Sequence, residues 1–195
     1  SRLTVAEQRF GSTHAMNAYL ESILHVGMVV ADKAQLKSLP SAIAVGRAYI
    51  AQSRGDLQDT VRYASHALEF AEADPVRRGQ ASMLLGMSYW ANGDLEAADR
   101  VFAEYTLKLR TDGNIPDAIG TSVVLADIRL ALGHLRDGIR TLDLLLRFVM
   151  DQGEPIPLET ADLHRELSQL HLEQGHLEAA AHHLQKSAEL GEQAQ

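Results

Sequence analysis

Apolar residues return every three or four positions along most of this chain. Leu84, Leu85, Tyr89 and Trp90 do so in one stretch, and Val123, Val124, Leu125, Ile128 and Leu130 in another. Ala98, Val101, Phe102 and Tyr105 follow the same rule, as do Ile139, Leu142, Leu145, Leu146 and Val149. This is the period of an amphipathic helix. No segment sustains the period-two alternation that marks a strand.

Four short strings punctuate the helical stretches: Gly55-Asp56-Leu57, Gly93-Asp94-Leu95, Gly133-His134-Leu135 and Gly175-His176-Leu177. They are spaced 38, 40 and 42 residues apart, and self-similarity at such a period marks a solenoid. Each Gly falls where one helix must stop in a left-handed conformation, which Gly adopts without steric cost. Asp56 and Asp94 then stand where a carboxylate can accept the free N–H groups of the next helix, and His134 and His176 do this less well. The unit is therefore helix, tight turn, helix.

The pattern predicts helices at about 41–53 and 57–73, 76–92 and 95–110, 117–132 and 135–151, and 159–174 and 177–192. Pro75, Pro116 and Pro155-Ile156-Pro157 fall in the connections. A further helix reads from about 13 to 37 through Met16, Tyr19, Leu20, Ile23, Leu24, Val30 and Ala34, with Leu39-Pro40 expected to close it. The expected organisation is an N-terminal helical segment over 1–40 leading into four hairpins over 41–195. The fold class is all-α, a right-handed superhelical solenoid.

The second unit carries Leu85-Gly86, Tyr89, Gly93-Asp94, Ala98 and Phe102. These match the tetratricopeptide repeat in type and spacing, with small residues at the helix crossing and large ones around it. Ala48, Ala126 and Ser168 replace Gly86 in the other units, and Thr60, Gly138 and Ala180 stand at the position of Ala98. Leu39-Pro40, Arg78-Gly79-Gln80-Ala81 and the Asp112-Gly113 insertion narrow the resemblance. So does the run from His164 to Glu192, including Gly175-His176-Leu177-Glu178-Ala179-Ala180 and Glu189-Leu190-Gly191-Glu192. Together they resemble the tetratricopeptide-like region of MalT-like LuxR-type transcriptional regulators. The resemblance implies an effector-binding or protein-interaction domain, with the ATPase and DNA-binding modules on other parts of a longer protein. A start at Ser1 agrees with that expectation. The alternative is a stand-alone scaffold that binds a peptide segment of a partner.

In tetratricopeptide proteins the first helix of each hairpin lines a concave groove. Carried onto this sequence, that face presents Tyr49, Gln52, Gln80, Met83, Met87, Trp90, Asp127, Arg165 and Gln169. Trp90 is the only Trp and offers a stacking surface, while Met83 and Met87 are one turn apart and adaptable. Asp127, Arg165 and Gln169 add directed polar groups. The expected occupant is a protein or a small-molecule effector, and self-association is a further option.

Composition narrows the chemistry. Apolar residues make up 46% and charged residues 23%, the balance of a globular chain. Eighteen basic residues against 26 acidic ones give a net charge of −8. Residues 1–78 hold nine basic and eight acidic residues, and 79–195 hold nine and eighteen. Such a surface opposes direct binding to phosphate backbones. The absence of Cys removes disulfides, thiolate zinc sites and thiol catalysis. No apolar run is long enough to span a bilayer, and a cytoplasmic location is expected.

His164, His171, His176, His182 and His183 are concentrated near the C-terminal end, but not at the i, i+4 spacing of a helical metal pair. No metal or cofactor is expected, and surface or capping roles are assigned to these histidines, with a response to pH as a further consequence. Glu166, Glu173 and Glu178 read as solvated carboxylates. No nucleophile elbow or phosphate loop is present, so no catalytic residue is expected.

Overall fold

The computed structural model describes residues 33–71, 74–153 and 155–192. Eight helices and no strand occur among them. They are α1 (Lys33–Ser53), α2 (Leu57–Phe70), α3 (Pro75–Ala91), α4 (Leu95–Thr111), α5 (Ile115–Ala131), α6 (Leu135–Asp151), α7 (Thr160–Glu173) and α8 (Leu177–Glu192). Two compact units divide the chain, one ending at Leu85 and one beginning at Gly86, so that α3 contributes to both.

The turn chemistry follows the glycines. Gly55, Gly93, Gly133 and Gly175 have φ of 72°, 80°, 77° and 76°. At the first turn the Gly55 N–H donates to the Gln52 carbonyl and the Asp56 N–H to that of Ala51. The same pair of bonds recurs at the other three turns, so carbonyls left open by the ending helix are satisfied locally. The Asp56 carboxylate then accepts from the Asp59 N–H at 3.0 Å, and Asp94 from that of Ala97 at 3.1 Å. His134 caps nothing through its side chain.

Two connections differ from expectation. Leu39-Pro40 does not end a helix, because α1 runs through it from Lys33 to Ser53. Pro40 removes one backbone donor, while the neighbouring Ser41 hydroxyl donates to the Ser38 carbonyl at 2.8 Å. Of the helix expected over 13–37, residues 13–32 lie outside the described residues. Similarly, α5 begins at Ile115, two residues before the expected start. Gly113, at φ 77°, ends α4 with the same two-bond turn as the hairpins, so Asn114 becomes the cap and Pro116 sits inside the first turn.

In the first unit α1 and α2 pack through small side chains: Ala44, Ala48 and Ala51 against Thr60, Ala64 and Ala67, all buried. In the second unit two apolar clusters form. One joins Ala98 and Phe102 of α4 to Leu125 and Ile128 of α5. The other joins Ile119, Ala126, Leu142, Leu145 and Val149 to Leu163, Leu167 and Leu170 of α7.

Gly86 faces Phe102 so closely that an added Cβ would lie 2.7 Å from the ring, and Phe102 is fully buried. Gly86→Leu should therefore lower unfolding free energy by about 1–3 kcal/mol or more. Gly46 and Gly120 are also helical but have open space around the Cβ position. Changing either to Ala should instead stabilise by up to about 1 kcal/mol. Urea unfolding of the three variants checks the contrast, and equal effects would contradict the packing.

Candidate functional site

The residues expected on the ligand face are distributed over both units. Tyr49 and Gln52 are exposed on α1. Gln80 is half-buried and Met83 exposed on the part of α3 that belongs to the first unit. Met87 is exposed on the remainder of α3. Trp90 is half-buried against the cluster of Ala98, Phe102, Leu125 and Ile128. Its ring therefore contributes to packing as well as to surface, and replacing it with Ala should cost stability.

Two of the remaining positions, Asp127 and Arg165, meet at one side chain that the sequence reads as solvated. Glu166 on α7 is only 2% exposed, not solvated as expected. Its position explains this: it lies between Leu163, Leu167 and Leu170, which all point into the core. The Asp127 carboxylate on α5 acts on it by charge. Burial first, and then the Asp127 carboxylate, push the Glu166 carboxyl up to about 7. Arg165 stands beside it, exposed, with Nη1 3.8 Å from Glu166 Oε2 and Nε 3.5 Å from Asp162 Oδ1. Gln169 is exposed one turn further along α7.

The histidines also assemble more closely than expected. His164 is 8% exposed, and its Nδ1 lies 2.9 Å from His183 Nδ1, which joins α7 to α8. One ring must donate and the other accept, so both cannot be charged while the bond is kept. His171 stacks on His183 with centroids 5.5 Å apart, and His182 meets His183 edge-on at 5.5 Å. Burial and then the charge of His183 lower the His164 pKa to about 4. Burial and His171 lower that of His183, while Asp143 of α6 opposes the shift. No group of three or more His, Asp or Glu among the described residues is arranged to hold a metal. A surface role does not describe His164, which is buried; with the half-buried His183 it forms a polar joint of the last hairpin.

These two sites make opposite demands on pH. Glu166 holds a proton in the folded chain that an unfolded carboxyl releases near pH 4.5. Its contribution to stability is full below that pH and is lost as pH rises toward 7. His164 resists a proton that an unfolded imidazole takes near 6.5, so its contribution is full above 6.5 and lost as pH falls toward 4. Stability should therefore vary little between those limits in the unaltered chain. Glu166→Gln should leave stability rising with pH from about 4 to 6.5, and His164→Gln should leave it falling from about 4.5 to 7. Urea midpoints across this range measure both slopes, and profiles parallel to the parent would refute the opposition.

Among solved structures, the chain is similar to kinesin light chain TPR-like repeats from Podosopora anserina. The identity is 16%, coverage is 100% of this chain and 94% of that one, and the TM-score is 0.66. It is also similar to the apo form of RapI, with 12% identity, coverage of 92% and 64%, and a TM-score of 0.64. BtubC from P. vanneervenii gives 11%, 94% and 75%, and 0.62. At these identities the likeness establishes the fold, a tetratricopeptide-like helical repeat. No curated protein matches the sequence. No helix among the described residues is long and apolar enough to cross a membrane. The model of the MalT-like TPR region matches residues 41–195, and the chain belongs to that family.

Proposed function

We propose that this chain is the effector-binding and protein-interaction domain of a MalT-like LuxR-type transcriptional regulator, acting in the cytoplasm. The family match over 41–195 carries this reading. The repeat fold supports it, since helical hairpins offer side-chain surfaces suited to partners rather than a catalytic centre. Within the second unit, the binding surface would centre on Asp127, Arg165 and Gln169, with Met87 and Trp90 as its apolar portion. Tyr49, Gln52, Gln80 and Met83 would form the corresponding surface of the first unit. The polar groups would orient a ligand and the apolar ones would give it area. Occupancy would favour one state of the larger protein over another, which requires only that the ligand bind the two states unequally.

The surrounding charge suggests a second reading. Asp162 and Glu173 are exposed on the same helix as Gln169 and would favour a basic peptide. The test is the size of the native polypeptide in its source cells, detected with an antibody to this chain. A band far above 21.3 kDa is expected for the regulator, and a band at that mass would favour the free scaffold. Trp90 fluorescence should then respond to a small-molecule effector. Arg165→Ala should weaken that response by about tenfold with stability changed by less than about 0.5 kcal/mol, because its ion pairs are exposed on the arginine side.

A further inference from the structure

The second unit contains a cavity that belongs to none of the positions above. It lies between α4, α5 and α6 and has a volume of about 190 Å³. Ala103 and Leu125 on its wall belong to one apolar cluster, and Leu145 belongs to the other. The cavity thus occupies the seam where the two cores of the unit fail to merge. Leu107 and Leu144, 54% and 52% exposed, flank its mouth.

Its polar lining consists of two guanidinium groups and three hydroxyls, with no carboxylate among them. Thr106 is buried, yet its hydroxyl has no partner. Thr60, Ser122 and Thr141 instead each donate to the carbonyl four residues earlier, and among the described residues only Thr160, at the start of α7, shares the unpartnered state. A buried unpaired hydroxyl is costly and calls for an explanation. Arg129 enters from α5 with its Nε 2.7 Å from Asp99 Oδ1 and its Nη1 bonded to the Thr141 hydroxyl. Those bonds orient the guanidinium, neutralise its charge with Asp99, and leave Nη2 uncommitted. Arg110 enters from α4, its guanidinium 5.7 Å from the Phe148 ring, with no carboxylate partner among the described residues. The cavity therefore carries one uncompensated positive charge, two guanidinium groups and a free hydroxyl above an apolar floor.

We propose that this cavity binds a small monocarboxylate with a compact apolar body, of the size of benzoate or hexanoate. The carboxylate would take the Arg110 charge and the Thr106 hydroxyl, with Arg129 as a further donor, and the hydrocarbon would cover Leu125 and Leu145. The charge balance selects a single negative charge. The volume selects the size, since a cavity of about 150 Å³ accommodates benzene. A phosphate or a sugar would leave the apolar floor uncovered. The site is built largely on the second helices of the hairpins, so it is independent of the surface assigned to Asp127 and Arg165.

Calorimetric titration of the full chain with benzoate, hexanoate and the neutral isostere benzamide tests the proposal. Saturable binding of both carboxylates is expected, with benzamide at least about tenfold weaker. Arg110→Met keeps the apolar stem and should weaken benzoate by a similar factor. Thr106→Val should weaken it by about threefold or more while leaving the melting temperature the same or higher. Helicity of both variants, read by circular dichroism, confirms that they fold. Benzamide binding as tightly as benzoate would overturn the proposal, as would benzoate affinity unchanged in Arg110→Met. Saturation by a glutamate-bearing peptide without any response to the free carboxylates would also overturn it, because the occupant would then be a protein segment.

Discussion

The close crossing of two helices through small side chains is the constraint on which the rest of this structure depends. The crossing residues come in pairs twelve positions apart: Ala48 and Thr60, Gly86 and Ala98, Ala126 and Gly138, Ser168 and Ala180. The crossings differ in closeness: a Cβ at Gly86 would lie 2.7 Å from Phe102, whereas one at Gly138 would meet Leu170 at 3.4 Å and the Ala126 carbonyl oxygen at 3.5 Å, in ordinary contact. At the last crossing the Ser168 hydroxyl donates to the Ala180 carbonyl at 2.8 Å, so a polar residue is tolerated only because it bonds across the gap. The fixed spacing follows from geometry. A three-residue turn with one left-handed Gly sets how far each crossing lies from the hairpin tip, and the tip is the same in all four.

That constraint is why the architecture is legible from the residues alone. Gly, Asp or His, and Leu mark each tip, and the period of three and four marks the helices between. The departures occur where local punctuation competes with context. Pro40 reads as a stop, yet α1 continues through it, and the buried Ser41 beside it bonds back to Ser38. Asp112-Gly113 reads as an insertion, yet it ends α4 with the turn used within the hairpins. In both places the residue types were informative, but their consequence depended on neighbours that a pattern does not weigh.

The chemistry was less legible than the fold, for a physical reason. A Glu or a His on a helix is usually solvated, so composition favours the surface. Only register argues otherwise. Glu166 follows Leu163 by three and precedes Leu170 by four, and His164 precedes Leu167 by three, which places both on the inward stripe. What register does not disclose is the partner. Asp127 and His183 stand 39 and 19 positions away from the groups they meet, and only the packing of α5 and α8 against α7 unites them.

A core assembled from hairpins also leaves gaps of a predictable kind. Each hairpin fills the space around its own crossing first, as Phe102 does against Gly86. The larger side chains then meet those of the next hairpin along a seam, and nothing in the repeat dictates that the seam be filled. In the second unit it is not: Thr106, of moderate size and polar, lines the gap that remains. The positions free to vary are thus the same ones that can acquire donors without disturbing a crossing. Recognition in such a fold is expected to accumulate at seams and on exposed first-helix faces, while the twelve-residue pairs and the turn glycines keep the scaffold constant.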